Sequence, residues 1–224
     1  MLVAAVVVGG FSGTADAAWV NGRWVYPFKY FTNKQVSRRP VSSTDKGLSL
    51  AHWRIDRVPT DAKGLQVYST RYSSSKPAWA YRWIAIWHCE ISNVWRSGPG
   101  IHNDFIHIVG GGGLGQDVPT TVLLQDIAIH DGNGIPIMIQ DGWFDKITLR
   151  DIRVWNTTTN VQIATINSGS VGEIYIENSP NIRVAIMGRP GTVKRVYIKN
   201  CPGASISDVA CKYGKTGAQI IHVR

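Results

Sequence analysis

An all-β fold, a coil of short parallel strands, is predicted by three observations. First, the second half of the chain repeats a pattern of apolar, variable, apolar, variable and then His, Asp or Asn. It occurs at 84–88, 122–126, 147–151, 174–178 and 196–200, with starts 38, 25, 27 and 22 residues apart. Second, each copy is followed by another apolar stretch, at 105–109, 135–139, 161–166, 182–186 and, more weakly, 205–209. Third, the intervals hold turn residues such as Asp131-Gly132-Asn133-Gly134 and Asn178-Ser179-Pro180-Asn181, and no interval sustains helical spacing. Period-two alternation bounded by Gly, Asn, Asp and Pro marks strands. Strands recurring at about one coil length without helices between them stack on their own repeats, at ~4.8 Å per rung.

Taken in order, residues 1–17 read as a secretory signal peptide. Leu2 to Val8 is a short apolar run, and small residues lead to Ala15-Asp16-Ala17 ahead of Ala18-Trp19. A buried N-terminal strand is the other reading of this run. Export places the protein in the periplasm, at the cell surface or outside the cell. Residues 18–82 open an aromatic-rich first part of the chain, in which Trp19, Trp24, Trp53, Trp79, Trp83, Trp87 and Trp95 all fall before residue 100. A stack of coils exposes its core at each end, so this segment is expected to form an irregular cap and the first coil. Aromatic faces also suit sugar rings. Residues 83–224 form the coil proper, a single-stranded solenoid of about five or six turns, with 48–52 as an earlier copy of the pattern.

The same register predicts columns. Gln125, Arg150, Glu177 and Lys199 point outward in one, and Leu123, Thr148, Tyr175 and Tyr197 in another. Arg150, Glu177 and Lys199 alternate in sign, which suits a surface charge ladder worth a few tenths of a kcal/mol per pair.

Composition narrows the function. With 24 Lys and Arg against 15 Asp and Glu the net charge is +9, while 17% charged and 44% hydrophobic residues exclude a disordered chain. The positive charge invites an anionic partner. Nucleic acid is not expected, because the basic residues are dispersed and no helix-turn-helix, zinc or RNP pattern occurs. Nothing after residue 17 reads as a transmembrane segment. Gly110 to Gly115 lacks the Gly-Lys-Ser/Thr of a phosphate loop and reads as a flexible loop. Three cysteines without a CxxC pair argue against zinc and a disulfide scaffold, leaving one possible bridge between Cys201 and Cys211.

Over residues 48–209 the strand-then-Asn/Asp pattern resembles the right-handed parallel β-helix proteins of the pectate-lyase-like superfamily. That resemblance implies a right-handed parallel β-helix whose inward polar residue after the first strand stacks into a ladder at a bend. His88, Asp126, Asp151, Asn178 and Asn200 match that position. It also implies that a His-x-Asp-x-x-polar segment on the exposed face is a site, which the segment His102-Asn103-Asp104-Phe105-Ile106-His107 resembles. The family's Trp-Ile-Asp-His segment has only a faint echo in Ile86-Trp87-His88-Cys89, with Trp87 where the calcium-binding carboxylate belongs. Gly-His-Gly and paired-Asp signatures are absent.

The candidate catalytic residues are therefore His102, Asp104 and His107. His102 and Asp104 share a face on a strand, and His107 joins them where a bend or bulge intervenes. The alternative is that they satisfy one another beside a loop. Gln140, Gln162 and Arg183 are the candidate substrate-binding residues on the second strands: Gln bonds hydroxyls both ways, and Arg forks onto carboxylates. No cofactor is expected, and a divalent cation on His102, Asp104 and His107 is the open alternative. An inverting hydrolase would pair Asp104 with Asp131 or Asp141. The expected function is an exported, lyase-like protein acting on or binding an anionic polysaccharide, as a monomer. The competing reading is a non-catalytic carbohydrate-binding or adhesion module on the same scaffold.

Overall fold

The computed structural model describes residues 18–20, 23–25, 28–40, 47–73, 76–98, 103–110 and 119–223. Residues 1–17, with the signal-peptide reading, lie outside them. The described residues form an all-β structure without helices, and parallel strands dominate it. One sheet runs, in spatial order, through Lys29–Thr32, Trp53–Asp56, Trp83–Val94, Thr120–Gly132, Trp143–Thr157, Ser170–Glu177, Val193–Lys199 and Gln219–Val223. Gly47–Ala51 pairs beside Trp83–Val94 in the same sheet. The other sheet runs through Val36–Arg38, Leu65–Tyr68, Asp104–Val109, Ile135–Gln140, Val161–Thr165, Arg183–Gly188 and Ser205–Val209. The chain passes from one sheet to the other and back, gaining one strand position per round. This connectivity is solenoid-like and compatible with a β-helix.

The repeat read from the sequence is the register of the first sheet. Leu48, Ile84, Val122, Ile147, Ile174 and Val196 are successive rungs of one column. From Ile84 onward this column is at most 1% exposed, because period-two apolar residues on stacked strands all face the space between the sheets. Each fully buried Ile or Val contributes about 1.5–3 kcal/mol relative to an exposed one. The outward columns form as expected: Tyr175 and Tyr197 stack at 4.7 Å and 18°, and Arg150 Nε donates to Glu177 Oε2 at 2.6 Å.

The bend differs from its expected form. His88, Asp126, Asp151, Asn178 and Asn200 all have positive φ, from 49° to 55°. Asn and Asp tolerate this left-handed backbone better than most residues. That conformation interrupts the alternation and swings the side chains toward solvent rather than inward, leaving the His88 and Asp126 side chains 46% and 35% exposed. The ladder then forms on the outside: His88 Nδ1 meets Asp126 Oδ2 at 2.6 Å, and Asn200 Nδ2 donates to Asn178 Oδ1 at 3.3 Å.

Three further features complete the description of the fold. Beyond the bend the long strands continue as an additional face, with Cys89, Ile127 and Ile152 in one column and Ile91, Ile129 and Val154 in the next. Within residues 18–82, expected to form a cap and the first coil, five strands belong to the two sheets, and Ala18–Val20 with Arg23–Val25 and Thr70–Ser73 with Lys76–Ala80 form antiparallel hairpins. The Cys201–Cys211 bridge is absent, and all three cysteines are free. Cys201 Sγ donates to the carbonyls of Lys199 and Ile176, whereas Cys211 Sγ donates to that of Gly188 in the other sheet.

Candidate functional site

His102 lies outside the described residues. Asp104 and His107 begin and continue the strand Asp104–Val109. Within it Phe105, Ile106 and Ile108 all belong to the core. Two successive inward side chains, Phe105 and Ile106, break the alternation, and residues three apart are thereby brought to the same side. His107 Nδ1 lies 3.0 Å from Asp104 Oδ2. The pair is buried, with side chains 8% and 0% exposed. Its distance is that of an ion pair but its alignment is not that of a hydrogen bond, and the four polar atoms have no hydrogen-bonded partner among the described residues. A polymer has no direct access to so enclosed a pair. Among the described residues no group of three or more His, Cys, Asp or Glu is placed to hold a metal.

The candidate binding residues are spread along the outer side of the second sheet. His107, Met138, Gln162 and Ala185 form one column, so Gln162 sits two rungs, roughly 10 Å, from His107. Gln140 lies in the next outward column, and its amide donates to Asp141 Oδ2 at 3.2 Å. Arg183 is exposed on Arg183–Gly188, three strands from Asp104–Val109, or roughly 14 Å at the usual spacing. His107 and Arg183 therefore do not share one cleft.

Arg183 instead opens into a cavity of about 220 Å³ at the corner where the first sheet passes into the second. Trp155, Asn156 and Thr159 line it from the end of Trp143–Thr157 and the following turn. Asn181 and Arg183 line it from the next round, over a floor that includes Val161. Trp155 is 43% exposed, and its indole is held from behind by a parallel stack on the His130 imidazole, 4.3 Å away at 10°. His130 is fixed in turn: Nδ1 contacts Asp131 Oδ2 at 2.7 Å and Nε2 contacts Glu90 Oε1 at 3.3 Å. Glu90 pairs with Arg54 at 2.7 Å. With both ring nitrogens engaged, His130 props the tryptophan rather than standing free as a base. The result is a tryptophan, two asparagines and an arginine around one space, with the Asn156 amide nitrogen donating to Asp131 Oδ1 at 2.9 Å.

Sequence reasoning found Arg183 but missed Trp155, Asn156 and Asn181. The available signal was a tryptophan at the end of a strand, immediately before the polar turn Asn156-Thr157-Thr158-Thr159-Asn160.

The carboxylates that tie neighbouring rounds together are electrostatically tuned. Burial pushes the Asp56 carboxyl up, but hydrogen bonds from Asn93 and Ser92 outweigh it and hold the group below its ordinary range. Hydrogen bonds from Asn156 and His130 do the same for Asp131, which joins the bend to the His130 prop. A carboxyl whose folded pKa is depressed adds stability that is present above its unfolded value, near 3.9, and lost as the pH falls through the folded one. Melting temperature should therefore hold between neutrality and about pH 5 and fall below about pH 4. Thermal melts across that range test this, and Asp56→Asn should flatten part of the acid limb; an unchanged limb would exclude Asp56 as a contributor.

No protein-family model, curated protein or solved structure matches this chain.

Proposed function

We propose that the protein is an exported right-handed parallel β-helix, of the kind found in the pectate-lyase-like superfamily, that binds an anionic polysaccharide without cleaving it. The observation that carries this reading is the shared cavity of Trp155 and Arg183. An indole face takes the C–H side of a sugar ring, the Asn181 amide and the Asn156 Oδ1 left over from that residue's bond to Asp131 suit its hydroxyls, and a guanidinium pairs with a uronate carboxylate in a fork. The net charge of +9 favours approach of a polyanion. Burial of Asp104 and His107 argues against lyase chemistry at that pair. Export rests on the apolar run and small-residue motif of residues 1–17. Among the described residues, no helix is long and apolar enough to cross a membrane.

The test is affinity electrophoresis through gels containing polygalacturonate or alginate. Wild-type protein should be retarded by at least one of them, and Trp155→Ala or Arg183→Ala should weaken retention by about tenfold or more, as loss of a charge-assisted bond implies. Neither variant should shift the melting temperature by more than a few degrees, since both side chains are exposed. Indifference of the wild type to both polymers would refute the reading. Absorbance of unsaturated uronide products, monitored alongside, should stay flat; a rise abolished by His107→Ala would replace binding with lyase action.

A further inference from the structure

The outer face of the first sheet carries a second aromatic surface, far along the chain from the Trp155–Arg183 cleft. Trp83 and Trp87 are four residues apart on Trp83–Val94, so both project outward, roughly 13 Å apart along the strand. The neighbouring strand Gly47–Ala51 is in register with them: Trp83 lies beside Gly47, Ala85 beside Ser49 and Trp87 beside Ala51. A methyl group on Gly47 would overlap the Trp83 indole, so this ring lies across the glycine in the space a side chain would fill. Trp87 leans the same way, its indole N–H donating to Ser49 Oγ at 3.3 Å, with the His52 ring edge-on at 4.9 Å. Both rings are thus held against the sheet, yet they remain 45% and 39% exposed.

Charge identifies the class of ligand. On the other flank the in-register neighbours are Thr121, Leu123 and Gln125. Across these three strands the nine outward positions hold no charged side chain, although the chain carries a net +9. The nearest cations on this face, Lys146 and Arg150 one strand further on, are turned to the Tyr175 ring and the Glu177 carboxylate, so the block itself offers a polyanion no counter-charge. A protein partner would ordinarily need about 800 Å² on its own side, whereas the two indoles and Leu123 are the only large apolar groups of the block. Two fixed indole faces separated by small residues and bordered by hydroxyls and an amide suit a ligand that is flat, neutral and rich in both C–H and O–H groups. We propose that Trp83 and Trp87 form a platform for a neutral glycan chain, each indole stacking under one sugar ring. The platform shares no residue with the cleft that would hold an anionic chain, and either site can fail experimentally without the other.

The full chain is run through gels containing hydroxyethylcellulose, mixed-linkage β-glucan or galactomannan, with polygalacturonate as the anionic comparator. Wild-type protein should be retarded by at least one neutral polymer. The double variant Trp83→Ala/Trp87→Ala should lose about tenfold or more of that retention, as expected when two stacked faces are removed. Trp83→Tyr/Trp87→Tyr should recover part of it, which separates loss of stacking from misfolding. Gly47→Val keeps both indoles but lifts Trp83 off the sheet, and should weaken retention several-fold. Trp155→Ala/Arg183→Ala should leave neutral retention in place. Absence of retardation by all three neutral polymers, or equal retardation of wild type and the double alanine variant, overturns the proposal. So does a wild-type dimer in size exclusion that the double variant converts to monomer, because the surface would then be a contact between copies.

Discussion

Phe105→Ala should destabilise the protein by about 3–5 kcal/mol, the range for removing a buried phenylalanine. Phe105 is fully buried and belongs to the main core. Its ring tip rests where Gly132 has no side chain, and a methyl there would lie 2.7 Å from Phe105 Cζ. Truncation leaves a cavity that stacked strands on either side cannot close without breaking their ladders. For a chain of this size the loss corresponds to a fall in melting temperature of about 10 °C. The substitution also probes the local geometry, since the inward pair Phe105 and Ile106 is what sends Asp104 and His107 to one side. A drop of less than about 2 °C would mean that Phe105 is not in the core and that this register is wrong.

Asp141→Ala is the second substitution with a large effect, about 2–5 kcal/mol, combining unsatisfied buried donors with a left-handed backbone. Asp141 is 6% exposed and has φ 51°. Its Oδ1 accepts from the backbone N–H of Asn167 at 3.0 Å and of Ser168 at 3.5 Å, and its Oδ2 from Asn167 Nδ2 at 2.8 Å and Gln140 Nε2 at 3.2 Å. Alanine removes the acceptor from two backbone groups in the next round and occupies a conformation it disfavours. Asp141→Asn keeps an acceptor and tolerates the φ, so it should cost only about 1 kcal/mol. Equal melting temperatures for wild type and Asp141→Ala would refute this role. A carboxylate so fully engaged in joining two rounds is not free to serve hydrolysis.

Much of the stacking was legible in the sequence because the residues that set it are chemically marked. Ile84, Val122, Ile147, Ile174 and Val196 advertise their column through period two, and each repeat ends on a residue suited to a left-handed bend. The course of the chain beyond each bend was not legible. Parity predicts that His88 and Asp126 point inward, but a single left-handed residue resets the alternation, and side-chain identity does not reveal the reset. The Asp104–His107 contact was conditional on a break in alternation for the same reason. Trp155 and Arg183 are distant in sequence, and neither belongs to a motif that requires the other.

By itself, then, the sequence determined an all-β chain, its repeat, the columns before each bend and the basic charge. These depend on local periodicity and composition, which each residue carries wherever the chain goes. Only the tertiary structure decided which polar groups are enclosed and which are open. It buried Asp104 with His107, closed Asp141 into a turn, and set Trp155 beside Arg183. Such outcomes depend on the height of one round above the next and on the angle at each corner, and those arise from packing summed over many residues.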